Sequence, residues 1–178
     1  YRFTDQWVGG AAFSYSSTGS DIDSHGGSLD SQGYTLTLYG TYYQSERFYL
    51  DGLINYGWMN YDQRRNVLYQ LQDAAVDQSF DAAYNGRQFY VDLGAGYEFG
   101  RGNLTYGPEI RLSYLDVKVD DYQEHANNDN AGSAWAVGVD DQDLESLTLT
   151  LGGQIGYLFS QSWGTLEPQV ELKWLHEF

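Results

Sequence analysis

The chain has 178 residues, a formal net charge of −16 at pH 7 and no cysteine, with 21 glycines, 17 tyrosines and only two prolines. That charge excludes a phosphate-binding face, which needs a basic stripe, and the missing cysteines exclude disulfides and thiolate metal sites. No apolar run approaches the ~18 residues that a membrane-spanning helix requires, so the composition leaves a soluble β fold or a membrane β-barrel, whose alternating strands never look oily on average.

Seven segments alternate with a period of two, the spacing that sends successive side chains to opposite faces of a strand. The first, "QWVGGAAFSYSS", carries Trp7, Gly9, Ala11, Phe13 and Tyr15 on one face. In "GYTLTLYGTYYQ" the oily row is Tyr34, Leu36, Leu38, Gly40 and Tyr42. In "RFYLDGLINYGWMNY" it is Phe48, Leu50, Gly52, Ile54, Tyr56 and Trp58, with Asp51 and Asn55 opposite. "RQFYVDLGAGYEF" gives Phe89, Val91, Leu93, Ala95, Tyr97 and Phe99 against Asp92 and Glu98. "NLTYGPEIRLSYLD" gives Leu104, Tyr106, Pro108, Ile110, Leu112 and Tyr114 against Glu109 and Arg111. "ESLTLTLGGQIGYLF" gives Leu147, Leu149, Leu151, Gly153, Ile155, Tyr157 and Phe159, with Gln154 on the other face. "GTLEPQVELKWL" gives Leu166, Pro168, Val170, Leu172 and Trp174 against Glu167, Gln169, Glu171 and Lys173.

Two patterns favour a membrane barrel over a soluble sandwich. Connections alternate between short (Thr4–Gln6, Gln44–Arg47, Gly100–Asn103, Ser160–Ser162) and long, polar and acidic (Ser17–Gly33, Asp62–Gly86, Val117–Asp143). Outer-membrane barrels have that rhythm, with short turns in the periplasm and long loops outside. Aromatics also gather near the ends of the oily rows, with aliphatics and glycines between. Trp7, Tyr15, Tyr34, Tyr42, Phe48, Tyr56, Trp58, Phe89, Tyr97, Phe99, Tyr114, Tyr157, Phe159 and Trp174 are therefore expected at the membrane interfaces. The opposite face is expected to line a polar lumen, where charges of mixed sign are tolerated. Its residues are Asp51, Asn55, Asp92, Glu98, Glu109, Arg111, Gln154, Glu167, Gln169, Glu171 and Lys173.

Catalytic and metal patterns are weak. The acids of Val139–Asp143 lack the spacing of a calcium loop. His25, His125 and His176 stand far apart without HExxH or i, i+4 pairing. His125 with Asp120, Asp121 or Asp129 offers a superficial hydrolase pairing, and no G-x-S-x-G elbow occurs. The expectation is a chain that is not an enzyme and uses no cofactor or metal.

The stretches "YRFTDQWVGGAAFSYSSTGSD", "LDSQGYTLTLYGTYY", "FYLDGLINYG", "VDLGAGYEFG" and "VDDQDLESLTLTLGGQIGYLFSQSWGTLEPQVELKWLHEF" together resemble the autotransporter β-domain family of Gram-negative bacteria. The resemblance runs over nearly the whole chain, in order. It implies an antiparallel up-and-down transmembrane β-barrel of twelve strands in the outer membrane, threaded by a helix that leads to an N-terminal passenger. The implied role is type V secretion: a translocator that anchors and displays the passenger, with outer-membrane lipid, the passenger and the barrel-assembly machinery as partners, and no nucleic acid. Against that family, residues 1–178 are expected to be a partial barrel of seven to eight strands, matching the third to ninth. The passenger, linker helix, first strand and last strands lie outside it. Phe178 resembles a terminal assembly signal in composition, but it ends a strand running outward and is read as a cut. Asn127-Asn128 falls in a loop, so the family's cleavage between two asparagines is not carried over. The alternative reading is a complete small outer-membrane barrel of about eight strands with a structural or adhesion role.

Overall fold

The computed structural model describes residues 1–22, 26–70, 75–129 and 132–178. Seven long strands follow one another: β1 (Trp7–Ile22), β2 (Gly27–Tyr43), β3 (Phe48–Gln70), β4 (Ala75–Tyr97), β5 (Leu104–Val119), β6 (Gln142–Tyr157) and β7 (Gln169–Glu177). They pair in chain order as one antiparallel meander. Among the described residues no helix is long and apolar enough to cross a membrane. The alternation read from sequence becomes register. Leu38 faces Ala11 and Ile54, Ile54 faces Val91, and Leu151 faces Ile110 and Trp174.

The two faces differ in exposure, and that difference gives the curvature. Leu93 is 58% exposed and its neighbour Asp92 only 4%. A flat sheet would leave both equally open, so this one curls around its polar side and turns its oily side outward. The sense is that of a membrane barrel, inverted from a soluble core. From Phe48 to Trp58 β3 climbs about 33 Å along the strand, or roughly 25 Å of depth at a tilt of ~40°.

Both prolines mark interruptions. Gly96 pairs with Glu109 and Phe99 with Tyr106 in unchanged register. The ladder lapses at Pro108, which has no N–H to donate, and at its neighbour Gly107. Phe99–Arg101 therefore continues β4 into a hairpin that turns at Gly102, whose φ of 64° suits glycine. Pro168 does the same near the second hairpin, where Phe159–Gln161 pairs with Gly164–Leu166.

The long connections differ from expectation. Ser17–Gly33 and Asp62–Gly86 are mostly strand: β1 pairs with β2 out to Ile22 and Gly27, and β3 with β4 out to Gln70 and Ala75. Val117–Asp143 begins and ends as strand, with short pieces at Tyr122–Gln123, His125–Ala126 and Gly138–Val139 and one 3-10 turn at Ser133–Trp135. Polar sequence hid these extensions because ladder hydrogen bonding does not depend on side-chain polarity. Beyond Trp58, β3 runs about 40 Å further, so a tall lobe stands beyond the aromatic row.

That lobe has its own small core. Val76, Phe80 and Ala82 are buried on the same face of β4 as Asp92, and Gln78 joins them. The chain after β5 folds over this face. His125–Ala126 pairs with Asp81 and Phe80 along the edge of β4 that β5 leaves bare. Gly132, at a φ of 106°, lies so close that a Cβ would meet Val76 Cγ1 at 2.9 Å. Phe80→Ala should cost about 3–4 kcal/mol of local stability. The expected result is protease nicking within residues 120–139 while the heat-modifiable gel mobility of the barrel is unchanged.

Candidate functional site

The polar wall is built on β3 to β7, and Arg111 is its hub. One guanidinium nitrogen donates to Asp92 and the other to Asp51 Oδ2 at 2.9 Å. Asp92 also accepts from Ser113 Oγ at 2.6 Å and from the Tyr90 hydroxyl at 3.2 Å. A carboxylate buried to this degree needs such donors, because its desolvation is costly when unpaired. Register explains the meeting: Asp51 faces Gly94, and Gly94 faces Arg111. A Cβ on Gly94 would lie 2.8 Å from Arg111 Nη2, so glycine there makes room for the guanidinium.

One register step toward the short turns, Lys173 reaches Glu109 at 3.2 Å and Glu171 at 2.7 Å. Gly152, between Glu109 and Lys173 in the ladder, leaves space for the Glu109 side chain, and Gly96 does so for the Tyr49 ring. Along β2 and β3, Asn55 Nδ2 donates to Thr37 Oγ1 at 2.9 Å. Four carboxylates share two cations in this wall, which makes it electronegative.

The structure therefore joins Asp51, Asp92 and Arg111 in one cluster and Glu109, Glu171 and Lys173 in a second. Gln154 is half-buried opposite Glu171. Glu98 is exposed at the interruption of β4, and Gln169 donates to Glu167 at 3.3 Å at the exposed start of β7. Ser113, Tyr90 and Tyr49 were missed by the sequence reading, although the period of two puts each on the charged face. Their signal was masked by oily neighbours on either side.

On the oily face the aromatics meet in pairs. Trp7 and Tyr42 lie 4.6 Å apart, and Tyr97, Phe99 and Tyr106 form a run at 4.6 and 5.3 Å. Tyr157 and Phe159 join this end at 4.6 Å. At the other end Tyr15 meets Tyr34 at 5.1 Å and Tyr56 meets Trp58 at 4.6 Å. Phe48, Phe89 and Tyr114 are half-buried on the same face. Trp174 sits opposite Leu151, in the aliphatic middle of β6, and stacks on His176 at 5.6 Å.

Above the wall, residues 120–129 and 132–139 are strapped to the same face. Arg65 donates to both oxygens of Glu124, at 2.9 and 2.6 Å, and to the Trp135 carbonyl at 3.1 Å. The guanidinium lies over the Phe80 ring at 4.5 Å. Tyr122 stacks on Tyr84 at 4.3 Å. The Arg65 guanidinium holds the Glu124 carboxyl below its usual value of 4.5, burial opposes this, and the Val137 N–H adds to the lowering. His125 faces Asp81 across the ladder, and His25 lies outside the described residues. Among the described residues no cluster of three or more His, Asp or Glu is placed to hold a metal.

A family model described as the autotransporter beta-domain matches residues 1–178. The chain is 26% identical over 174 residues to the uncharacterized protein YaiT of Escherichia coli (strain K12), covering 97% of this chain and 16% of that protein. It is 28% identical over 158 residues to an uncharacterized protein from the trpE-trpG intergenic region of Pseudomonas putida, covering 86% and 25%. It therefore spans only a fraction of the length of either relative. Among solved structures, the β domain of the Bordetella autotransporter BrkA is similar with a TM-score of 0.62 and 21% identity, over 97% of this chain and 63% of that one. The outer membrane transporter YddB from Escherichia coli follows at 0.51 and 12%, over 97% and 26%. At these identities the two structures show the fold alone.

Arg111→Met strands two carboxylates and should destabilise the barrel by about 3 kcal/mol. The triple change with Asp51→Asn and Asp92→Asn should recover most of that loss, read from the temperature of gel-mobility shift. Glu124 has its carboxyl held low in the folded state, so its contribution is complete above about pH 4.5 and fades as pH falls through the depressed value. Hydrogen-exchange protection of residues 120–129 and 132–139, corrected for the intrinsic rate, should therefore fall between pH 5 and pH 3 by more than in Glu124→Gln, which should be less protected than wild type at pH 7.

Proposed function

The chain belongs to the autotransporter β-domain family, and from this we propose that it acts as a translocator of the Gram-negative outer membrane, anchoring an N-terminal passenger and supporting its passage to the cell surface. In this reading the oily face meets lipid and the paired aromatics sit at the two interfaces. The wall of Asp51, Asp92, Glu109, Arg111, Glu171 and Lys173 faces the conduit. The observation that carries the proposal is the match over residues 1–178 combined with a charged, internally paired face on the shielded side of the sheet.

Such a face suits a conduit for a polypeptide. Its charges already hold one another, so a passing chain meets a hydrated surface with few free donors to trap it. The rigid pairs also keep β3 to β5 in register while the lumen is occupied. Beyond the bridge of Val8 to Arg2, the outer ladder edges of β1 and β7 need partners in lipid, where unpaired backbone groups are not tolerated, and further strands of the same barrel supply them in this reading. The barrel-assembly machinery is the expected agent of insertion.

The test is surface display from the parent gene. Deleting residues 48–97 in frame, which removes β3 and β4, should abolish protease-accessible passenger on intact cells. Undiminished display by that deletion strain would overturn the proposal.

A further inference from the structure

A recess lies on the oily face at the far end of the apolar band. It has a volume of about 420 Å³ and is lined by Tyr56, Arg87, Phe89, Tyr114, Asp116 and Lys118. Register places Arg87 between Trp58 on β3 and Lys118 on β5, one outward-facing position beyond Phe89. Two cations therefore stand level with Trp58 and just past Tyr56, Phe89 and Tyr114, where hydrocarbon gives way to headgroups in this reading.

The lining holds two cations and one carboxylate, with Asp143 opposite Lys118 and Glu145 opposite Asp116 across the ladder. Lys118 is tied to Asp143 at 3.2 Å. Arg87 makes no hydrogen bond or ion pair among the described residues. The other arginines of the lobe are engaged: Arg64 binds Asp81 at 2.8 Å and Arg65 binds Glu124. A free guanidinium beside three aromatic rings on a membrane-facing wall has an open fork, which matches a phosphate better than any other anion a bilayer supplies.

We propose that this recess binds the phosphate of an outer-leaflet lipid headgroup. Arg87 takes two phosphate oxygens, Lys118 stands beside it on its Asp143 partner, and Tyr56, Phe89 and Tyr114 pack against the root of the acyl chains. Asp116 lies one outward-facing position nearer the hydrocarbon than Lys118 and opposite Phe89. Its charge holds the phosphate to the Arg87 side. The bound lipid fixes the barrel's height and rotation at β3 to β5, below the tall lobe. The proposal rests on the reading that the oily face meets lipid.

The test uses the intact parent protein reconstituted in phosphatidylcholine vesicles doped with bisphosphorylated lipid A or its dephosphorylated form. Lipid retained after re-extraction is counted by native mass spectrometry. Wild type should retain the phosphorylated form about tenfold over the other, and Arg87→Gln with Lys118→Gln should remove the preference. Equal retention of both lipids by wild type, or an unchanged preference in the double variant, overturns the proposal. Loss of the preference on chelation with EDTA or in Asp116→Asn also overturns it, because binding then belongs to a divalent cation on the carboxylate. A spin label on Leu93→Cys, in a chain with no cysteine of its own, separates the underlying reading. A label reached by a water-soluble relaxant and not by oxygen sinks the lipid-facing assignment. An oxygen-accessible label without phosphate preference sinks only the headgroup site.

Discussion

A bilayer offers no hydrogen-bond partners, so every backbone N–H and C=O at membrane depth must be satisfied sideways by a neighbouring strand. That constraint explains the seven-strand meander, its unbroken register and the placing of its two prolines. Pro108 and Pro168 both lie toward the short turns, where a lapse in the ladder is nearest to water. It also frees the side chains. Since the backbone supplies the cohesion, the outward face needs only to be oily and the inward face only to be internally paired.

The inward face shows how that second demand is met. Arg111 carries two carboxylates from two other strands, and each bond reaches across a glycine or a small neighbour. Alternating glycine with long polar or aromatic side chains lets β3 to β6 approach while filling the space between them. Gly94 beneath Arg111, Gly96 beneath Tyr49 and Gly152 beneath Glu109 are one device used three times. The result is a wall whose charges spend their binding capacity on one another. Rigidity follows from the same geometry.

The lobe beyond the aromatic row follows a different logic. Water can satisfy its backbone, so the ladder alone does not explain its order. Phe80 under Arg65, Glu124 on Arg65, and Tyr122 on Tyr84 fasten residues 120–129 and 132–139 to the sheet extension. Glu124 carries no signal in sequence because it sits among other acids, and Phe80 stands between polar residues in "DQSFD". Their partners are 59 and 15 residues away in the chain. No local pattern reports a pair at that separation.

The sequence by itself determined the number of long strands, their order, and which face of each is oily, because a period of two is a local property that any register must respect. It also put Asp51, Asp92, Glu109, Arg111, Glu171 and Lys173 on one side. The tertiary structure alone decided which of those charges pair, since pairing depends on register between strands and on where glycine leaves room. It also turned two of the polar connections into strand and gave the third its strap, because continuing a ladder costs polar residues little once the neighbouring strand is already in place.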